Sequence, residues 1–391
     1  MPDPRFFIPF DPRLQPAPAG EPLRQLWRVH ALLERSASGG RFPLNFALRE
    51  FALAGSAAIP ELRRAAADSA LPPHTRELAS LGVGMAVCDE IGGSLAFALN
   101  YAPGELAPEV GAAVLARLRY PDLDPQAPIR KIDRMGKAAA KFVGQALGRP
   151  LDQQLLDERP LDVVLRLGEF WRTKQFAGKR DDYYDPRNSL LPDVLERKTG
   201  LPITLSVVYL ALARRLGLPA EGIGLPGHFI VRVTLKQDGR EGVVYVDPFH
   251  HARPLDVPAC KKLVESQGRR FVPGEHLRPV STRDLLLRMC YNLLNLYDSK
   301  HESLQAERVA TVLLHLNEHH PSARMVRAER RLQRGEKPLG VADLYAVLSE
   351  GPGTPAAKEA AAWLRRLETR SPFEDMPNRK LLSPLEVTRY S

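Results

Sequence analysis

His228 and Asp247 are the residues of this chain whose types and setting suit acid–base chemistry. His228 opens the run Phe229-Ile-Val-Arg-Val-Thr-Leu235, and Asp247 closes the run Gly242-Val-Val-Tyr-Val246. Both runs are rich in β-branched residues and read as strands. A carboxylate beside an imidazole holds its tautomer and makes it a competent general base. The hydroxyls nearest in pattern are Thr204 and Ser206, within the first turn or so of a helix read over Ile203 to Leu216. Each residue also has a plainer reading. His228 suits a buried, hydrogen-bonded core position, and Asp247 before Pro248 suits a turn cap. Thr204 and Ser206 suit hydroxyls bonded to backbone, the favoured reading of the pair.

His250 and His251, with Asp247 and His228, form a metal-like cluster in the sequence. Neighbouring residues on a strand point to opposite faces, so the two adjacent histidines are not expected to converge on one ion. No metal and no other cofactor is expected. The three cysteines, Cys88, Cys260 and Cys290, show no zinc spacing. Cys88 and Cys290 fall in apolar helical patterns and read as small core residues. Cys260 is an outside candidate nucleophile.

The elements that must position these groups are punctuated clearly. Asp185-Pro186 disfavours helix, Asn188-Ser189 can cap a helix from Leu190 to Lys198, and Gly200 is expected to end it. Pro202 suits the first turn of the next helix, which stops at Gly217. Ala220 to Leu225 reads as a short strand, and Lys236 to Glu241, containing Asp238-Gly239, as a hairpin turn. Upstream, Leu44 to Leu53 and Leu78 to Ile91 read as helices, the latter broken by Gly92-Gly93. Ile59-Pro60 opens another helix, and Ile129–Leu147 and Leu161–Thr173 are amphipathic. Downstream, Leu285–Tyr297, Leu304–His319, Ala323–Arg334, Val341–Leu348 and Ala356–Leu367 are helical patterns separated by Pro or Gly.

At 391 residues, with 44% hydrophobic and 26% charged residues, the composition is that of an ordinary globular protein. The net charge of +9 is spread evenly, +3 on each of residues 1–150, 151–270 and 271–391. That argues against nucleic acid, whose binders cluster their charge. The basic run Arg324 to Lys337 reads as a solvated helix face offset by Glu329 and Glu336. No secretory leader is legible at Met1-Pro-Asp-Pro-Arg. The best apolar run, Leu201 to Ala213, is too short to span a bilayer. A cytoplasmic protein without membrane association is expected.

Asp182-Tyr-Tyr-Asp-Pro-Arg-Asn-Ser-Leu190, Val194-Leu-Glu-Arg-Lys-Thr-Gly-Leu-Pro-Ile-Thr-Leu-Ser206, Leu225-Pro-Gly-His-Phe229 and Val246-Asp-Pro-Phe249 stand in an order that resembles the bacterial SirB-type transglutaminase-like proteins. The resemblance covers residues 110–270. It implies an α+β fold: a helical N-terminal region, a transglutaminase-like core of helices on a small antiparallel sheet, and a helical-hairpin tail like that of tetratricopeptide proteins. The expected division is an extended arm over 1–20, the helical region over 21–120, the core over 121–280, the tail over 281–370 and a loose end over 371–391.

In the wider transglutaminase and papain-like superfamily a cysteine at a helix start, a histidine and an aspartate form a triad. The helix dipole and the imidazolium lower the thiol pKa there. The resemblance assigns His228 and Asp247 to the triad. It places the cysteine about fifteen residues before the glycine that ends the helix. Counting back that far from Gly217 reaches Pro202, with Leu201 and Ile203 on either side. In the SirB-type branch a proline generally stands there. Tyr184, Asn188, Pro202 and Phe229 are the expected cleft residues, although Asn188 suits a helix cap better. The function expected is a non-catalytic or weakly catalytic protein that holds a peptide or protein segment in the old triad cleft, with the tail as a second surface. The alternative is a peptide or amide hydrolase or acyltransferase in which His228 and Asp247 activate a hydroxyl or water.

Overall fold

The period of the apolar residues changes at Pro219, and the architecture changes with it. Before that point Pro202–Arg215 is a helix with every residue from Pro202 to Ala213 buried. A helix that is apolar all round is a core helix. Its first turn accepts Pro202 because the missing N–H would have no partner inside the helix. It ends at Gly217, whose φ of +81° is the left-handed conformation that glycine adopts without strain. After it come four antiparallel strands in the order β3-β4-β5-β6: β3 (Ala220–Leu225), β4 (His228–Gln237), β5 (Arg240–Asp247) and β6 (Arg253–Leu255). A two-residue parallel ladder pairs β1 (Ala177–Gly178) with β2 (Thr199–Gly200). The whole is the α+β arrangement of helices with one small antiparallel sheet.

The computed structural model describes residues 21–39, 47, 50, 51, 54–101, 104, 106–178, 183–237, 240–333 and 335–369. The arm, the loose end, most of the Leu44–Leu53 helix and the Asp238-Gly239 turn tip lie outside the described residues. The chain folds as two compact units. The first holds the sheet and is built from residues 102–116 and 123–292. Within it the Pro202–Arg215 helix packs against Gln126–Leu147 and β4. The buried Glu109 takes ion pairs from Arg214 and Arg215, and Arg215 also reaches Asp133 at 2.6 Å.

The second unit joins residues up to 101, residues 117–122 and residues from 293 onward. Its long element is a helix over Pro73–Tyr101, which runs without a break through Gly92-Gly93. That corrects the expected stop. A Cβ at Gly92 would lie 2.4 Å from the His315 ring, so glycine is there for close approach of the Ser303–Leu316 helix. Arg308 and His315 of that helix bond Leu81 O and Asp89. Pro73–Tyr101, not Leu201–Ala213, is also the one helix among the described residues long and apolar enough to cross a bilayer; 56% of its most apolar window is buried.

Helices Pro321–Gln333, Lys337–Glu350 and Pro355–Thr369 close around Met325, Leu332, Leu344, Val347, Trp363 and Leu364. Among the described residues of the basic run, Arg330 reaches Glu329 at 3.6 Å as expected, and others find acids on neighbouring helices. Arg327 and Arg331 both reach the buried Asp343, and Arg324 reaches Glu350.

Candidate functional site

The hairpin between β3 and β4 carries the histidine. Leu225 pairs directly with His228, leaving Pro226-Gly227 as a two-residue turn with Gly227 at φ +66°. Pro followed by Gly at positive φ is the pattern of a type II turn. The turn is clamped by Arg288, whose guanidinium donates to Leu225 O at 2.9 Å and to His228 O at 2.8 Å. The same group lies 5.5 Å from the Phe229 ring centroid. Burial pushes Arg288 down to about 10, so it remains charged at neutral pH. The sequence offered only a lone arginine inside Leu285-Leu-Leu-Arg-Met289, and this role was missed.

Asp247 ends β5. Val231 pairs with Val246, so strand alternation puts His228 and Asp247 on one face of the sheet. The imidazole Nε2 and the carboxylate Oδ2 are 2.9 Å apart. Asp247 is fully buried, while the His228 side chain is 11% exposed. Among the described residues, Nδ1 of His228 has no hydrogen-bond partner.

The chain then turns through Pro248 to Ala252, with His251 and Ala252 at φ +61° and +53°. This turn folds back on the aspartate. Oδ1 of Asp247 accepts from the backbone N–H of Phe249 at 3.1 Å and of His250 at 3.2 Å. The His250 ring meets Oδ2 through Nδ1 at 2.7 Å. Strand alternation separated His250 from His251, but His250 lies in a turn and joins His228 on the same oxygen. His251 is exposed. Burial alone would raise the Asp247 carboxyl. The hydrogen bonds and charges of His228 and His250 outweigh it and hold Asp247 well below the usual carboxylate range.

An aromatic floor supports the turn. Trp171 donates its indole N–H to Pro248 O at 3.1 Å and stacks on Phe176, with Tyr209 edge-on. Gly178 donates to Phe249 O at 2.8 Å, and a Cβ there would fall 2.2 Å from the Phe249 ring. Phe249 in turn stands edge-on to the His228 ring.

The other expected site residues separate. Pro202 is buried at the first turn of its helix. The Ser206 hydroxyl donates to Phe229 O at 3.3 Å, so it bonds the neighbouring strand rather than an imidazole. Thr204 Oγ1 is buried and has no partner. Asn188 is not the cap of the following helix, which starts at Leu191 with Leu190 as a cap lacking any side-chain bond. Asn188 O accepts from Leu201 N at 2.9 Å instead, and its side chain accepts from Arg197, which anchors the start of the Pro202 helix. The preceding helix ends at Lys198, in the left-handed region at φ +63°, and Gly200 belongs to β2. Phe229 points to the face opposite His228, against Gly222. Tyr184 is 71% exposed and stands edge-on to Tyr183. Cys260 is buried, and burial with the Asp256 and Asp247 charges pushes its thiol up to about 11.

Residues 131–291 match the family model described as the transglutaminase-like superfamily. A UPF0162 protein of Xylella fastidiosa (strain 9a5c) is 31% identical over 248 residues, 62% of this chain and 83% of its own length. A UPF0162 protein of Pseudomonas aeruginosa is 29% identical over 204 residues, 52% of this chain and 69% of its own. F-box only protein 21 of Mus musculus is 36% identical over 129 residues, 31% of this chain and 20% of that protein. No solved structure gives a significant match. The bacterial relatives match over most of their length, and the superfamily model covers the segment that holds the hairpin, the His228–Asp247 pair and the clamp from Arg288. The chain therefore belongs to the UPF0162 family and carries a transglutaminase-like domain.

Proposed function

We propose that this domain recognises a peptide or protein segment at the His228–Asp247 cleft and does not form an acyl-enzyme with it. The observation that carries the reading is the hydrogen bonding at the head of the Pro202–Arg215 helix. Proline occupies the expected nucleophile position, and the Ser206 hydroxyl is committed to Phe229 O. The three thiols of the chain are buried. A His–Asp pair in that setting offers an oriented imidazole edge to a ligand's amide or carboxylate, and the unpartnered hydroxyl at that helix head, Thr204 Oγ1, is fully buried. The exposed Tyr183 and Tyr184 add aromatic surface on the segment leading to Asn188. The matched segment in F-box only protein 21 makes up about a fifth of that chain, so the similarity lies within a larger protein.

The test is selection of peptides from a displayed library on the immobilised full-length chain. Enrichment of a consensus that His228→Gln and Tyr184→Ala each weaken supports the reading. Mass spectrometry of the same peptides after incubation then decides against or for turnover. Intact peptides are expected; cleaved or cross-linked peptides would establish the hydrolase or acyltransferase alternative, with water or a hydroxyl activated by His228.

A further inference from the structure

The turn after β5 brings a third side chain to the His228–Asp247 pair and changes the chemistry open to it. One ligand atom each of His228, Asp247 and His250 lies within 4.8 Å of the others, and Nε2 of His228 and Nδ1 of His250 both meet Oδ2 of Asp247. We propose that these three atoms form a binding site for one divalent transition-metal ion of the zinc and cobalt class.

Three features support it. The donors are two imidazoles and one carboxylate, a set that suits zinc, cobalt, nickel or ferrous iron rather than magnesium or calcium, which take oxygen ligands. Three ligands held at about 2.0–2.2 Å on a tetrahedral ion stand roughly 3.3–3.5 Å apart. The two nitrogen–oxygen separations, 2.9 and 2.7 Å, need to open by well under an ångström. The ligand nitrogens of the two histidines lie within 4.8 Å of one another, in reach of that spacing. Small side-chain rotations cover both.

The third feature is the anchoring of the carboxylate. Its Oδ1 is taken by the N–H groups of Phe249 and His250, so Oδ2 alone faces the imidazoles. Outer hydrogen bonds of this kind orient ligands at metal centres. The edge-on Phe249 ring and the Trp171 bond to Pro248 O hold the same turn from below. On binding, each neutral ring carries its hydrogen on the far nitrogen, Nδ1 for His228 and Nε2 for His250. His250 is 37% exposed, so ions have a route in. Three protein ligands leave a position for water or for an oxygen of a bound ligand.

The sequence hid this site because adjacent histidines on a strand diverge. The tight turn removes that constraint for His250 and leaves His251 outside.

The probe is cobalt(II), whose visible absorption reports coordination number. The full-length chain, stripped with a chelator, is titrated with cobalt and then with zinc. One equivalent is expected to give the bands of a four- or five-coordinate site, and zinc is expected to displace it. His250→Ala and His228→Gln should each weaken binding at least ten-fold, while His251→Ala leaves it unchanged. Far-UV circular dichroism checks that the variants fold. Binding by the unsubstituted chain no tighter than by His250→Ala, or equal loss in His251→Ala, would overturn the proposal. Cobalt binding and peptide capture are separate readouts, so either reading can fail without the other.

Discussion

At the scale of single residues, the Asp247 carboxylate governs the site because it is fully buried and accepts from two backbone N–H groups and two imidazoles. Its folded pKa lies below the unfolded value of about 3.9, so the unfolded chain takes up a proton first as pH falls. The stability it contributes is complete above that value and is lost as pH drops through the folded one. Asp247→Asn should therefore cost about 3 kcal/mol near neutrality. Urea melts of the two proteins should converge as the buffer is taken below about pH 4; a gap that stays constant with pH would contradict this account. The thiols give a second residue-level expectation. Burial pushes Cys290 up to about 12 and, with nearby acids, Cys260 to about 11. The native protein should leave a disulfide reagent unconsumed at pH 7.5; one equivalent consumed by the folded chain would contradict this. The His–Asp pairing was legible in the motif order. The position of His250 was not, because alternation applies to strands and this residue lies past the end of one. Arg288 left no trace in pattern, since its partners are backbone carbonyls sixty or more positions away.

At the scale of elements, two packing devices fix the geometry of the site. Arg288 ties the Pro226-Gly227 turn from a distant helix, through two charge-assisted hydrogen bonds. Arg288→Met should remove about 3 kcal/mol of stability. It should also loosen the hairpin, read as faster amide exchange at His228 and Phe229 with little change in the Gln126–Leu147 helix. Gly178 sets the other side. Alanine there drives a methyl into the Phe249 ring, which cannot retreat without moving the turn behind Asp247. Overpacking of this kind costs about 1–3 kcal/mol. The expected mark of Gly178→Ala is a lower melting temperature together with weakened cobalt binding. Element type was readable from periodicity across most of the chain. Two misplaced boundaries share one cause: a glycine read as a stop. Gly92 serves close helix approach and Gly200 serves a strand pairing, and in both cases the partner is remote in sequence.

At the scale of the whole molecule, the grouping of distant segments sets what truncation can show. The Ser303–Leu316 helix packs on Pro73–Tyr101 within one unit, and Leu286 fills the space above Gly111 in the other. A chain ending at Val280 loses Leu286, Arg288 and the cover of the long apolar helix at once. It should be insoluble or expose dye-binding apolar surface, and a soluble, cooperatively melting product would contradict that. Composition and the even charge made an α+β globular chain legible, but the joining of early and late segments was not, because local patterns carry no information on pairing.

The same pairing has a consequence for biosynthesis. His315 meets Asp89 across 226 positions of sequence. A ribosome adding about 5–20 residues each second needs roughly 10–45 s to make that stretch. Throughout that interval the long apolar Pro73–Tyr101 helix exists without the Ser303–Leu316 helix that packs on it. The nascent chain is then a natural client for a chaperone that holds apolar helices, and slowing translation between the two segments should lower soluble yield without altering the finished fold.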